Sequence, residues 1–224
     1  MTTVLDSIEI NTSASPELAV IWMHGLGDSG DGWAPIVNEL NLDGLPGIRF
    51  VFPHAPMQPV TLNNGYVMRS WYDILSLDAG TNRREDENGL RESQKLVEAL
   101  IARENARGIP TSRIVLGGFS QGCAMTLQAG LRHPEKLAGL MCLSGYLPLA
   151  DKAAAERSAA NQDTPIFMVH GTMDPVIPIS RATASRDLLA RLGYNIEWHD
   201  YPMQHSACAE EVQHISAWLK KVMQ

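Results

Sequence analysis

The chain has 224 residues, 45% of them hydrophobic and 19% charged, with a formal net charge of −7 at pH 7. The charge argues against nucleic acid as a partner and against electrostatic capture by an anionic membrane surface, though an amphiphilic substrate held by apolar contacts remains open. The length suits one α/β domain over residues 1–224, with ample apolar content for a large core.

The first residues, Met1 to Asp6, have neither the basic start nor the apolar core of a signal peptide. No stretch approaches the ~18 apolar residues of a membrane span, so stable membrane insertion is not expected. Residues 4–10 alternate weakly and suit an edge strand. Residues 18–23 are continuously apolar, as in a strand buried on both faces. They end in His24-Gly25-Leu26-Gly27-Asp28-Ser29-Gly30, a loop whose glycines let the backbone approach something closely. Residues 33–40 read as a short helix and 48–52 as a strand stopped by Pro53. Residues 54–87 then read as a long irregular segment, either a surface loop packed on its own side chains or a substrate-binding rim.

A helix is expected over residues 88–107, with Leu90, Val97, Leu100 and Ile101 on one face and Gly108 and Pro110 ending it. A strand follows over 113–118 and a helix over 121–133. Residues 137–143 are another apolar strand. The alanine-rich stretch 144–163 reads as one helix, too short for a cap domain. A strand over 165–169, a helix over 179–192 and an alternating strand over 194–201 come next. The last helix carries Cys208, Val212, Ile215, Leu219 and Val222 on one stripe. This alternation implies a mainly parallel sheet with helices on both faces, and a site at the carboxyl ends of its strands.

Gly118-Phe119-Ser120-Gln121-Gly122 joins strand to helix and reads G-x-S-x-G, the turn that lifts a serine hydroxyl above a sheet edge. A serine needs a base within hydrogen-bond reach, and the base needs a third group to hold its tautomer. Asp174 and His205 each follow a strand, in the order Ser, Asp, His. Asp163 and Asp200 compete for the acid role. Among the other histidines, His170 lies nearest the acid and suits orienting its loop. Backbone amides of Leu26, in the glycine loop, and of Gln121, after the serine, would hold the negative oxygen of a tetrahedral intermediate. Cys123 falls inside the helix and is a poor alternative nucleophile. With Cys142 and Cys208 it makes an odd, widely spaced set of three, which points to a reducing, cytoplasmic setting without a disulfide frame or zinc site. No histidine–carboxylate spacing suggests any metal, and no G-x-G-x-x-G or P-loop lysine suggests a nucleotide.

These motifs, with Leu143-Ser144-Gly145, His170-Gly171, His205-Ser206 and Trp71-Tyr72-Asp73-Ile74, resemble the small carboxylesterase and acyl-protein thioesterase family from about residue 18 to the C-terminus. The resemblance implies a lidless α/β-hydrolase fold without cofactor. It implies hydrolysis of carboxylic esters first, and of acyl-protein thioesters or lysophospholipids as alternatives, with Ser120, Asp174 and His205 as triad. It further implies an apolar acyl groove lined by Trp71, Leu75 and Val176, and allows a homodimer through surface near the active-site loop. Cys123 and Gln204 stand where the family often has glycine. The remaining readings are another serine hydrolase on the same fold, such as a peptidase or lipase, and a binding protein that kept the fold without activity.

Overall fold

A computed structural model describes residues 4–75 and 84–224. Leu77, which the sequence places among the apolar residues of the long loop, lies outside the described residues. Among the described residues the main sheet has seven strands. In chain order these are β1 (Ser7–Asn11), β2 (Leu18–Met23), β3 (Ile48–Pro53), β6 (Ile114–Phe119), β7 (Gly139–Leu143), β8 (Ile166–Gly171) and β9 (Ile196–Tyr201). Their spatial order is β1-β3-β2-β6-β7-β8-β9. All neighbours are parallel except β1, which pairs antiparallel with β3 at the edge, Ser7 opposite Pro53.

The apolar runs form strands because helices cover both faces of the sheet. Every residue of β2, β7 and β8 is buried. On one face, Ile21, Leu116 and Leu140 pack with Leu90, Val97, Leu100 and Ile101 of α2 (Glu87–Ala106), with α3 (Gln121–Gly130) and with Leu189 of α5 (Ile179–Arg191). On the other, Val20, Trp22, Val115, Met141 and Phe167 pack with Ile215, Trp218 and Leu219 of α6 (Ala209–Val222) and with the region of α1 (Gly30–Trp33). Each such large side chain contributes about 1.5–3 kcal/mol on burial. Trp218 needs Gly139 beneath it, since a Cβ there would sit 2.6 Å from the indole. This is the α/β-hydrolase arrangement the sequence implies.

The fold departs from expectation in four places. The segment 54–87 is not wholly irregular: β4 (Met57–Val60) and β5 (Tyr66–Arg69) form an antiparallel hairpin, Val60 opposite Tyr66. Asn64 and Gly65 turn its end with φ of 54° and 75°, conformations that Asn and Gly tolerate best. Pro59 is accommodated because, among the described residues, the ribbon is two-stranded and leaves β4 at an edge. Residues 144–163 are also not one helix. They form α4 (Ala150–Glu156) and a 3-10 turn, Ala159–Asn161. Buried Asn161 breaks the run, because its side chain donates to the carbonyl oxygens of His133 and Glu135, both at 2.8 Å, and accepts from the Leu137 amide. The same clamp lies just past α3, which stops at Gly130 rather than at 133. The expected helix over 33–40 divides into α1 and a 3-10 segment, Ala34–Asn38.

Candidate active site

Ser120 lies between β6 and α3 with φ 56° and ψ −114°, a left-handed conformation that costs a non-glycine residue about 1–3 kcal/mol. The surroundings enforce it. The Ser120 amide donates to the Leu143 carbonyl at 2.9 Å, and the Ala124 amide donates to the Ser120 carbonyl at 3.2 Å. Strand and helix approach so closely that a Cβ on Gly118 would lie 2.4 Å from the Gly122 carbonyl carbon. A Cβ on Gly122 would lie 2.1 Å from the Met23 oxygen. Both glycines of the motif are therefore packing requirements, and together they hold the serine up at the sheet edge.

The loops after β8 and β9 meet the serine there. His205 Nε2 is 2.9 Å from Ser120 Oγ, and His205 Nδ1 is 2.6 Å from Asp174 Oδ2. Asp174 Oδ1 accepts from the amides of Val176 at 2.8 Å and Ile177 at 2.9 Å. With Asp174 accepting from Nδ1–H, the Nε2 lone pair faces the serine hydroxyl and can take its proton. The two loops pack backbone on backbone, so that a Cβ on Gly171 would lie 2.4 Å from the Met203 oxygen. His170 is fully buried, and its Nε2–H donates to the Ile177 carbonyl at 2.8 Å while standing 3.3 Å from Asp174 Oδ2. Burial pushes its pKa down, which favours a neutral ring that donates from the end of β8 into the acid loop.

The glycine loop after β2 runs beside the serine: a Cβ on Gly25 would be 3.4 Å from the Ser120 Cβ. His24 anchors the loop. Its Nδ1–H donates to the Gly25 carbonyl at 2.6 Å, and its Nε2 accepts from the Ala55 amide at 3.1 Å. Those roles need the neutral ring, and burial lowers the His24 pKa accordingly. The backbone amides of Leu26 and Gln121 donate to no other backbone carbonyl among the described residues outside regular elements. The Gln121 side chain has a separate task that the sequence does not reveal. Its Oε1 accepts from the Trp71 amide at 2.8 Å, and its Nε2 donates to the Tyr72 carbonyl at 2.7 Å.

Two hollows meet at Ser120, and Leu26 and Val176 line both. The smaller, about 130 Å³, has Leu62, Ile74 and Ile177 on its walls, with Tyr72, Tyr146 and Arg181 beyond them. The Tyr72 and Tyr146 hydroxyls lie 2.7 Å apart, and the Arg181 guanidinium stacks 3.1 Å from the Tyr146 ring centre. The larger, about 450 Å³, opens on the His205 side past Asp28, Trp33 and Phe119.

Of the three residues that the resemblance assigns to an acyl groove, Val176 lines both hollows and Trp71 lines neither. Its ring is fully buried, its indole N–H donates to the His24 carbonyl at 2.9 Å, and it supports the glycine loop from below. Leu75 is half-buried and absent from the walls of both hollows, where its neighbour Ile74 stands. Leu62, in the turn of the β4–β5 hairpin, and Tyr146, just beyond Leu143-Ser144-Gly145, also line the smaller hollow, and no motif in the sequence marks either. Cys123 is buried against Gly145, whose added Cβ would be 2.5 Å from its sulfur, so its thiol does not face the cleft. Among the described residues, no group of three or more His, Cys, Asp or Glu could hold a metal ion.

Comparison with known proteins agrees with this architecture. Residues 6–223 match the family model described as Phospholipase/Carboxylesterase. The chain is 43% identical over 219 residues to acyl-protein thioesterase 1 of Yarrowia lipolytica, covering 96% of each chain. It is 46% identical over 207 residues to acyl-protein thioesterase 1 of Neurospora crassa, covering 89% of this chain and 84% of that one. Among solved structures, Arabidopsis thaliana SOBER1 superposes with a TM-score of 0.87 at 34% identity, over 92% of this chain and 99% of the other. Zea mays acyl-protein thioesterase 2 superposes with a TM-score of 0.86 at 26% identity, over 98% and 99%. The chain is therefore a hydrolase, and it belongs to the phospholipase/carboxylesterase family.

Proposed function

We propose that this hydrolase cleaves the thioester between an acyl chain and a protein cysteine, through an acyl intermediate on Ser120. The observation that carries the reading is the Asp174–His205–Ser120 relay, with steps of 2.6 and 2.9 Å, set between two hollows. The sequence alone puts carboxylic esters first. The acyl-protein thioesterase relatives favour the thioester instead, and small esters become secondary substrates of the same site.

In this mechanism His205 Nε2 takes the Ser120 proton as Oγ attacks the acyl carbonyl carbon. The negative oxygen is held by the Leu26 and Gln121 amides. The C–S bond breaks, and the thiolate leaves with the proton from His205. Water then attacks the acyl-serine, giving its proton to His205. The free acid departs as that proton returns to Oγ. Asp174 stays ionised and holds the ring. The leaving group must lie beside His205 to be protonated, which assigns it the larger cleft. The acyl chain then takes the smaller, apolar hollow. No cofactor enters any step, and the cysteine pattern supports a cytoplasmic setting.

Rates on acyl thioesters and p-nitrophenyl esters of graded length test this. The expected result is kcat/KM that depends on acyl length and favours thioesters of apolar chains. A flat profile, or esters turned over while thioesters are not, would return the chain to the carboxylesterase reading.

A further inference from the structure

The leaving-group cleft does not end at the catalytic serine. It runs past Gly32 and Trp33 into a second groove of about 490 Å³, bounded by Ile36 and Glu39 on one side and by Cys208 and Val212 on the other. Phe119 and Trp33 form an aromatic wall leading outward from His205, with ring centres 4.7 Å from Phe119 to His205 and 5.0 Å from Phe119 to Trp33. Asp28 lines the cleft and Glu39 the groove, and no lysine or arginine lines either among the described residues. Asp31, on α1, and Glu210, in the first turn of α6, are exposed nearby in the chain. Asp28 and Glu39 form no ion pair among the described residues. Aromatic faces beside unpaired carboxylates attract cations, through the ring quadrupole and through charge.

We propose that the cleft and groove together form a leaving-group subsite for a protein segment carrying Lys or Arg beside the acylated cysteine. The proposal rests on the thioesterase reading and deepens it. The cysteine sulfur sits at His205, a neighbouring basic side chain lies along Phe119 and Trp33 with its charge toward Asp28, and the segment continues past Glu39. A quaternary ammonium headgroup would also suit the aromatic wall, but it would leave the outer groove empty. Continuity of the groove with the cleft favours the longer occupant.

The test uses three S-octanoyl peptides that differ only in the residues flanking the cysteine: lysines, serines or glutamates. The expected order of kcat/KM is lysine, serine, glutamate, with the spread shrinking at about 0.5 M salt as the charges are screened. Glu39→Gln should lower kcat/KM on the lysine peptide about two- to fivefold, the range for exposed charge pairs, and leave the serine peptide and p-nitrophenyl butyrate unchanged. Equal rates on all three peptides, or an equal loss on all three in Glu39→Gln, would overturn the subsite. So would faster turnover of lysophosphatidylcholine than of the lysine peptide, which would assign the wall to a headgroup. Hydrolysis of p-nitrophenyl butyrate with no turnover of any peptide thioester would instead remove the thioesterase reading beneath it.

Discussion

Gln121 is where the serine turn and the binding wall are joined. Its backbone begins α3 beside Ser120, while its side chain holds Trp71 and Tyr72 from a position 50 residues away in sequence. Gln121→Ala keeps the backbone amide but leaves the buried Trp71 amide without its acceptor, while the Tyr72 carbonyl keeps the Ser70 hydroxyl as a donor. Each buried group stripped of a partner costs about 1–3 kcal/mol. Denaturant unfolding should show a loss of that size, with a further fall in activity as the wall of the smaller hollow loosens. An unchanged midpoint would mean that the clamp is not what holds this segment. The same clamp explains why Trp71 could not be placed from sequence. A loop tryptophan has no periodicity to tell inside from outside, and its burial is decided by Gln121, His24 and Ser93, which donates to the Trp71 carbonyl. The approach of Ser120, Asp174 and His205 to one another was legible because each lies in the turn or loop after a strand, and a parallel sheet delivers such loops to one edge.

α6 shows what a helix following the histidine loop must tolerate. Glu211, in its first turn, is fully buried, and neither carboxylate oxygen has a hydrogen-bond partner of ordinary geometry. Burial pushes its pKa up to about 8, against a smaller pull down from the Cys208 amide. The unfolded chain releases this proton near pH 4.5, the ordinary value, while the folded chain keeps it to about pH 8. Between those values the folded state binds more protons, so stability falls as pH rises, by up to about 1.4 kcal/mol per pH unit. Glu211→Gln carries no such proton. Its melting temperature should equal or trail that of the native chain near pH 5 and exceed it near pH 9. Parallel melting profiles across that range would show that the carboxyl is not neutral in the fold. The sequence presents Glu211 as an ordinary acidic residue at a helix start, because the 3.6-residue stripe of Val212, Ile215 and Leu219 does not reveal what covers position 211. The β4–β5 hairpin escaped for a related reason. Pro59 and the Asn63-Asn64-Gly65 cluster read as loop, yet Asn64 and Gly65 supply the positive φ angles that close the ribbon.

At the scale of the whole molecule, strand order decides the chemistry. β6 lies centrally in the sheet, with β2 on one side and β7 and β8 on the other. The glycine loop, the serine turn and the acid loop leave these strands at one edge, and the histidine loop arrives from β9 beside them. The alternation of strand and helix made this much readable. The two hollows were not readable, because they form between loops whose spacing depends on packing across the sheet: Leu62 from the hairpin, Val176 from the acid loop, Tyr146 from beyond β7. This convergence is expected to activate Ser120. Labelling with a fluorophosphonate probe, followed by identification of the modified peptide, tests it most directly. A single adduct is expected on Ser120, absent in Ser120→Ala, with hydrolysis in that variant reduced by about 10⁴-fold or more and an unchanged melting temperature to show that the fold is intact. A folded native chain that takes no label, or a Ser120→Ala variant that still turns substrate over, would contradict it.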